Sequence, residues 1–559
     1  MKADFDAIVI GSGFGGSVMS CRLTEKGYKV CLLERGQEWK MNSFPRRIQE
    51  IKNHLPWSPQ DKKFGFMEIR DYPESDVMSV SGAGLGGGSL IYANVMIRMP
   101  EDFFAGWPGT LNRKMLDPFY DKVEQTLEAS PYPLEKDIFY KNTTKTHALR
   151  KVAEGLSVAT ENGATGKPEF ILPFLAIRFK GDFPGHQTLN GHGALQSKCT
   201  KCGECDIGCN IHAKNTLDLN YLFKARNIKN GRTPLEVRTH AEVREIKDIS
   251  TATEARYEVT YVDPRNPDKV QTITASKVVL SAGSIHSTEL LLKMRASGRL
   301  KNLSPALGSK WCGNGDLEGM VFNTKNFVEP SDGPVITGAI HYKYAPYPDG
   351  FAHGMFIQDA GVPVGLDWYL SGKLVSPKTL WQYLKLVWHF AVDELVRILK
   401  LKLSKNVKIN IGYQMLKAID RNEFDRRIFI LLGMGRDRNT GNISLNERGE
   451  PLINWNIGPS QLHYDRATFE MRRIAEALGG EFVENPLSAI KKIVAVHPLG
   501  GCPMGESAQE GVVNSRGEVY GHSGLYVVDA SILPTSVGPN PSMTIAALAE
   551  FIADQIPEL

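Results

Sequence analysis

Residues Asp6–Gly36, DAIVIGSGFGGSVMSCRLTEKGYKVCLLERG, leave little freedom in how this chain begins to fold. An apolar run at Ala7–Ile10 reads as a buried strand. Gly11-x-Gly13-x-x-Gly16 then opens a helix, and Lys29–Leu33 reads as a second strand ending in Glu34. This is the pattern of a βαβ dinucleotide-binding unit. Gly11 turns tightly off the strand, Gly13 lets the backbone approach a pyrophosphate, and Gly16 permits close helix–strand packing. The helix N-terminus offers unpaired N–H groups to phosphate, and Glu34 is spaced to accept ribose hydroxyls. A glycine-rich turn that binds nothing is the alternative, disfavoured because strands, helix and acid are all in place. The fingerprint alone does not separate FAD from NAD.

A second glycine-rich stretch follows at Val77–Pro100, VMSVSGAGLGGGSLIYANVMIRMP, with Gly82, Gly84, Gly86, Gly87 and Gly88 ahead of Ser89. Apolar, strand-like residues flank it, so a backbone held close against a planar or phosphorylated ligand accounts for it better than a flexible loop. The chain has 559 residues, 42% hydrophobic and 23% charged, enough for more than one domain. A net charge of +4 at this length gives no support to nucleic-acid binding, which calls for a concentrated basic patch.

Five segments in order along the chain resemble the glucose-methanol-choline (GMC) flavin oxidoreductases and, within them, the bacterial cholesterol-oxidase branch. They are the N-terminal fingerprint, SGAGLGGGSLIYANV, VVLSAGSIHSTELLL, HPLGGCPMG and GLYVVDASILPTSVGPNPSMTIAALAE. The resemblance implies an α/β fold: a discontinuous FAD-binding Rossmann-like domain with an α+β substrate-binding domain built on an antiparallel sheet. The expected division is 1–98, 212–318 and 488–559 for FAD, against 99–211 and 319–487 for substrate. It also implies FAD contacts from Gly11, Gly13, Phe14, Gly15, Gly16, Glu34 and Arg35, and from Gly84, Gly87, Gly88, Ser89 and Asn94. Val243, in an LEVRTHAEV strand, would touch adenine through its backbone, and Gly283 would lie nearby. At the C-terminal end Asp529 would meet the ribityl chain, with Ala530, Asn540, Pro541 and Met543 around the flavin. Leu525–Val528 reads as a strand and Met543–Ile556 as an amphipathic helix. An N-terminus of that helix aimed at the flavin would stabilise the charge of its reduced form.

His497 in HPLGG and Asn540 in GPNPS match the family's active-site pair. Oxidising an alcohol by hydride transfer to flavin N5 requires removal of the hydroxyl proton, work suited to a histidine, while an asparagine amide can donate to the developing alkoxide or to the flavin. Gln358 stands where the steroid oxidases carry a glutamate that shifts a double bond after oxidation. An amide cannot be that base. Unless Asp359 replaces it, the expectation is oxidation of a bulky apolar secondary alcohol of the 3-hydroxysteroid kind, without isomerisation. An oxygen-using cholesterol-type oxidase and a long-chain alcohol dehydrogenase are the alternatives.

Four of the eight cysteines form Cys199-x2-Cys202-x2-Cys205-x3-Cys209. That spacing wraps thiolates around an iron–sulfur cluster, 4Fe-4S or 3Fe-4S, better than around zinc; thiols without metal are the alternative. A cluster near FAD would pass electrons to a redox partner protein or a quinone, which favours a dehydrogenase over an oxidase. Residues 378–406 place Trp381 and Trp388 among apolar positions at helical spacing with flanking lysines. Such a helix suits either a membrane surface or the core of the substrate domain. The first strand begins almost at Met1, leaving no room for a secretory signal, and no apolar run is long enough to span a bilayer. The expected location is cytoplasmic, with a peripheral position on the inner membrane face if 378–406 docks there. NTGNISLNERGEPLINW reads as a hairpin.

Overall fold

The computed structural model describes residues 3–109, 111–229, 231–249, 255–351, 353–361, 425–485 and 492–559. The 378–406 stretch lies outside them. Among the described residues no helix is long and apolar enough to cross a membrane.

The first strand, Phe5–Ile10, runs parallel to Val30–Leu33 on one side and to the end of Asn266–Leu280 on the other. Ala7, Ile8 and Val9 have no exposed surface, as expected of a strand covered on both faces. Glu236–Arg238 and Leu525–Val527 extend the parallel region outward. The earlier part of Asn266–Leu280 instead pairs antiparallel with Tyr257–Asp263, which pairs in turn with Glu242–Asp248. The single LEVRTHAEV strand expected from the sequence is therefore two strands, Glu236–Arg238 and Glu242–Asp248. They are separated at His240, which adopts a left-handed backbone (φ 52°).

Helix Phe14–Glu25 follows the first strand directly, and its glycines explain how it packs so closely. A Cβ on Gly15 would lie 1.6 Å from the Val528 carbonyl oxygen, and one on Gly16 would lie 1.9 Å from that of Gly11. Gly15→Ala is expected to push back the Val528–Ala530 segment and cost about 1–3 kcal/mol, as overpacking does. Urea unfolding together with the FAD-to-protein ratio after gel filtration checks this; an unchanged midpoint with full FAD would overturn it.

The C-terminal helix runs Ser542–Gln555, and it is buried almost all round rather than amphipathic. It packs against Phe14–Glu25 and Arg113–Thr126. Its one carboxylate on the buried side, Glu550, is 2% exposed and accepts from Arg22 Nε and Nη2 (2.8 and 2.7 Å) and from the Tyr221 hydroxyl (2.8 Å). Pairing is what makes that burial tolerable.

A second sheet has six antiparallel strands in the order Glu481–Glu484, Leu317–Phe322, Phe429–Gly435, Gly354–Ala360, Ala339–Lys343 and Glu169–Ile171. Val321, Ile357, Leu431 and Ile340 form a core with Leu149 of helix Thr144–Gly155 and with Met471 and Ile474 of helix Gln461–Leu478. Alternation along the strands turns Glu318, Leu432 and Gln358 the other way. The expected hairpin is present as Asn442–Leu445 paired with Pro451–Asn454.

Candidate active site

A cavity of about 700 Å³ runs from the glycine turn of the first sheet to the face of the second. Gly11, Gly13, Phe14, Gly15, Glu34, Arg35, Gly87, Gly88, Val243, Gly283, Asp529, Ala530, Asn540, Pro541 and His497 line it. Gly16, Gly84, Ser89, Asn94, Met543 and Gln358 do not, and each is held just behind the wall. Gly16 packs on Gly11, and the Ser89 hydroxyl donates to Gly86 O (2.7 Å) while accepting from Leu217 N (3.1 Å). Met543 is fully buried.

Glu34 has a tightly specified place. Its carboxylate accepts from Ser12 N and Oγ (3.1 and 2.5 Å), Gly36 N (2.9 Å) and Gly84 N (3.1 Å). These four bonds fasten the two glycine-rich stretches to each other, and a Cβ on Gly87 would strike Gly13 Cα at 2.6 Å. Arg35 is tied to Glu68 (2.8 Å), which also binds Arg70 (2.8 Å) and His286 Nε2 (2.8 Å); these cations hold the Glu68 carboxyl well below its ordinary range despite burial. Asp529 accepts from Gly283 N (2.9 Å), Ser287 Oγ (2.5 Å) and Ser531 N and Oγ (2.8 and 2.5 Å), while burial pushes its carboxyl upward.

The residues fit the expected FAD. A Cβ on Gly13, Gly88 or Gly283 would meet no protein atom within 4 Å, although all three line the cavity, so the backbone there is bare toward the space a ligand takes. Asn94, with a left-handed backbone (φ 69°), sits between the lining residues Ala93 and Val95. Both polar atoms of its buried amide lack a partner among the described residues. The Ser542–Gln555 helix begins beside Asn540 and Pro541, so its unpaired first-turn N–H groups face the same space.

At the other end four side chains form a relay. Asp316 Oδ1 accepts from His497 Nδ1 (2.7 Å), and its Oδ2 accepts from the backbone N–H groups of Val496 (2.8 Å) and His497 (2.9 Å). Asn540 Nδ2 donates to His497 Nε2 (3.3 Å), and Gln358 Nε2 donates to Asn540 Oδ1 (2.8 Å). This pattern assigns the proton to Nδ1 and leaves Nε2 as the acceptor of the long Asn540 bond, on the wall of the cavity. His497 and Asn540, expected as a pair, are brought together; Gln358 orients the asparagine. Asp359 does not substitute for the missing base. It faces the opposite side of the sheet, accepting from Thr337 N and Oγ (2.8 and 2.5 Å) and Gly338 N (2.7 Å), with Lys145 3.9 Å away.

Asp316 and Glu318 were not singled out from sequence. The available signal was two carboxylates spaced by one residue behind a glycine in WCGNGDLEG. Glu318 lines the cavity, accepts from Asn485 Nδ2 (3.1 Å), and is pushed up to about 7 by burial and by the neighbouring Asp316.

The four-cysteine segment does not assemble as expected. Cys199, Cys205 and Cys209 are buried with Tyr132, Tyr140 and Ile177, whereas Cys202 is exposed. Among the described residues no group of three or more His, Cys, Asp or Glu side chains is arranged to hold a metal ion. Burial, and then the other three cysteines of the segment, raise the Cys199 thiol. A cluster here is supported by the cysteine spacing alone, and no step is derived through one.

Residues 437–549 match the family model for GMC oxidoreductases, and residues 9–59 match that for an NAD(P)-binding Rossmann-like domain. The chain is 29% identical over 575 residues to a cholesterol oxidase of Acinetobacter baumannii, covering 99% of this chain and 94% of that protein. It is 30% identical over 571 residues to a cholesterol oxidase of Mycobacterium tuberculosis strain H37Rv, covering 100% and 92%. Among solved structures, pyridoxine 4-oxidase from Mesorbium loti superposes with a TM-score of 0.57 over 98% of both chains at 15% identity, a likeness of fold. Similarity that runs the length of the chain, over a glycine cradle and a histidine–asparagine pair on one cavity, has a single reading: the chain belongs to the GMC oxidoreductase family.

Proposed function

We propose that the protein oxidises a bulky, largely apolar secondary alcohol of the 3-hydroxysteroid kind to the ketone, with FAD as the hydride acceptor. The observation that carries this is His497 Nε2 and the Asn540 amide meeting on the wall of one cavity whose other end is the glycine cradle. FAD would be held by the two glycine-rich stretches, Asn94 and the Asp529–Pro541 segment, and would supply a two-electron acceptor. His497 Nε2 takes the hydroxyl proton. Asp316 keeps that nitrogen unprotonated until then and stabilises the imidazolium that results. As the substrate hydroxyl takes over Nε2, Asn540, fixed by Gln358, turns its N–H groups from the imidazole to the substrate oxygen, where negative charge develops as the proton leaves. Met320, Ile336, Ile430 and Leu432 make the far wall apolar, which supports a hydrocarbon ring system as the substrate body.

Anaerobic titration with a panel of secondary alcohols tests the reading. A 3-hydroxysteroid is expected to bleach the flavin band stoichiometrically, and failure of every bulky secondary alcohol to do so would overturn it. Turnover with an artificial acceptor against oxygen then decides the acceptor. Electron exit through an iron–sulfur cluster to a redox protein or quinone, and with it a dehydrogenase rather than an oxidase, is a separate proposal supported by the cysteine spacing alone. Iron and acid-labile sulfide per FAD on anaerobically purified protein test it. Stoichiometric iron would support it, and flavin without iron would leave oxygen as the acceptor.

A further inference from the structure

The catalytic relay stands over one row of the antiparallel sheet. Glu318 and Gln358 are both in register with Leu432, one from each neighbouring strand. Side chains in register share a face, so the carboxyl of Glu318 and the amide of Gln358 project the same way, two strand spacings or about 10 Å apart. Gln358 supports Asn540, and Asp316, two residues before Glu318, supports His497. Glu318 thus stands beside the place where the carbinol is held, on the side away from Asn540.

Nothing in the relay uses it. Asn485 Nδ2 donates to Oε2, and among the described residues no other hydrogen bond and no ion pair reaches this carboxyl. Its remaining surface opens on the cavity, beside Met320 and Leu432. A carboxyl in such surroundings is unfavourable unless it is hydrogen-bonded, and a substrate that displaces water from the cavity must supply the donor the water gave. Its raised titration range agrees with a group that lacks a counter-charge.

We infer that Glu318, held by Asn485, is a specificity-determining residue that accepts a hydrogen bond from a second donor group, a hydroxyl or amine, carried on the substrate a few bonds from the oxidised carbinol. This rests on the function proposed above and narrows it: the substrate is a hydroxylated ring system, not a mono-alcohol. A site built to bond a substrate hydroxyl discriminates strongly against the analogue that lacks it, because its own polar group is left unpaired.

The test compares FAD-loaded wild type, Glu318→Gln and Glu318→Leu on matched steroid alcohols that differ only in one additional ring hydroxyl. Two readouts are taken: kcat/KM with an artificial acceptor, and equilibrium binding from perturbation of the flavin spectrum. Wild type is expected to prefer the dihydroxy compound by at least about 10²-fold, within the range such sites reach. Glu318→Leu is expected to lose that preference in both readouts, and Glu318→Gln, which keeps an acceptor oxygen, to retain part of it. Equal treatment of the pair by wild type, or a preference that survives in Glu318→Leu, would overturn the inference, as would failure of either compound to bind wild type. Binding with the expected preference but no flavin reduction would overturn the proposed oxidation while leaving the role of Glu318 standing.

Discussion

His497→Ala is expected to retain FAD and to lose about 10²–10⁴-fold in the rate of flavin reduction, the range a positioned general base contributes. Both parts follow from where the histidine sits. The cradle for FAD is made by the Gly11–Gly16 and Gly82–Gly88 stretches and by Asp529–Pro541; of the cradle bonds described above, one, from Asn540, reaches the imidazole, and Gln358 also holds that asparagine. The proton acceptor, by contrast, is the Nε2 atom alone, because Nδ1 is committed to Asp316 at 2.7 Å. Stopped-flow reduction under anaerobic conditions, with the FAD-to-protein ratio measured on the same sample, separates the two effects. A variant that reduces its flavin at the wild-type rate would remove His497 from the mechanism. One that loses FAD would mean that His497 also holds the cofactor.

Asp316→Asn is expected to cost about 10²-fold or more in kcat/KM with the fold intact. Asp316 is fully buried and makes three bonds: one to the imidazole and two to the backbone of residues 496 and 497. An asparagine keeps the shape and one acceptor. If that oxygen stays with the backbone amides, its NH₂ group faces Nδ1, and the imidazole must move its proton to Nε2. The ring then presents a donor where a lone pair is needed, the defect that a neutralised orienting aspartate produces in other histidine-dependent sites. A double-mutant comparison distinguishes this from general damage. In a His497→Ala background, Asp316→Asn is expected to have little further effect on flavin reduction, since the two residues act as a unit. Independent, additive losses would show that Asp316 acts through the backbone alone.

The first sheet and the glycine cradle were legible in the sequence because they depend on local rules. A buried parallel strand is a short apolar run, a tight turn needs glycine, and the acid at the strand end follows at a fixed spacing. The predicted starts and ends of the first two strands and of the Leu525–Val528 strand lie within two residues of those observed. Reading LEVRTHAEV as one strand failed at His240, where a left-handed residue other than glycine carries no sequence signal. The amphipathic reading of the last helix failed for a different reason. Periodicity counts Glu550 as a solvent-facing position, and only the packed neighbours Arg22 and Tyr221 allow it to be buried.

The sequence by itself determined the dinucleotide-binding unit, the two glycine-rich stretches that meet in it, and the candidate histidine and asparagine, since each is written in a contiguous motif. Tertiary structure alone decided what surrounds them. Asp316 reaches His497 across 181 positions and Gln358 reaches Asn540 across 182. Glu318 reaches the cavity through strand register, and Asp359 is turned away from it by the alternation of a single strand. The cysteine spacing was equally plain in sequence, yet the fold exposes Cys202 and buries the other three. Spacing along a chain fixes which groups can meet, whereas the direction each side chain takes is set by the sheets and helices packed against it.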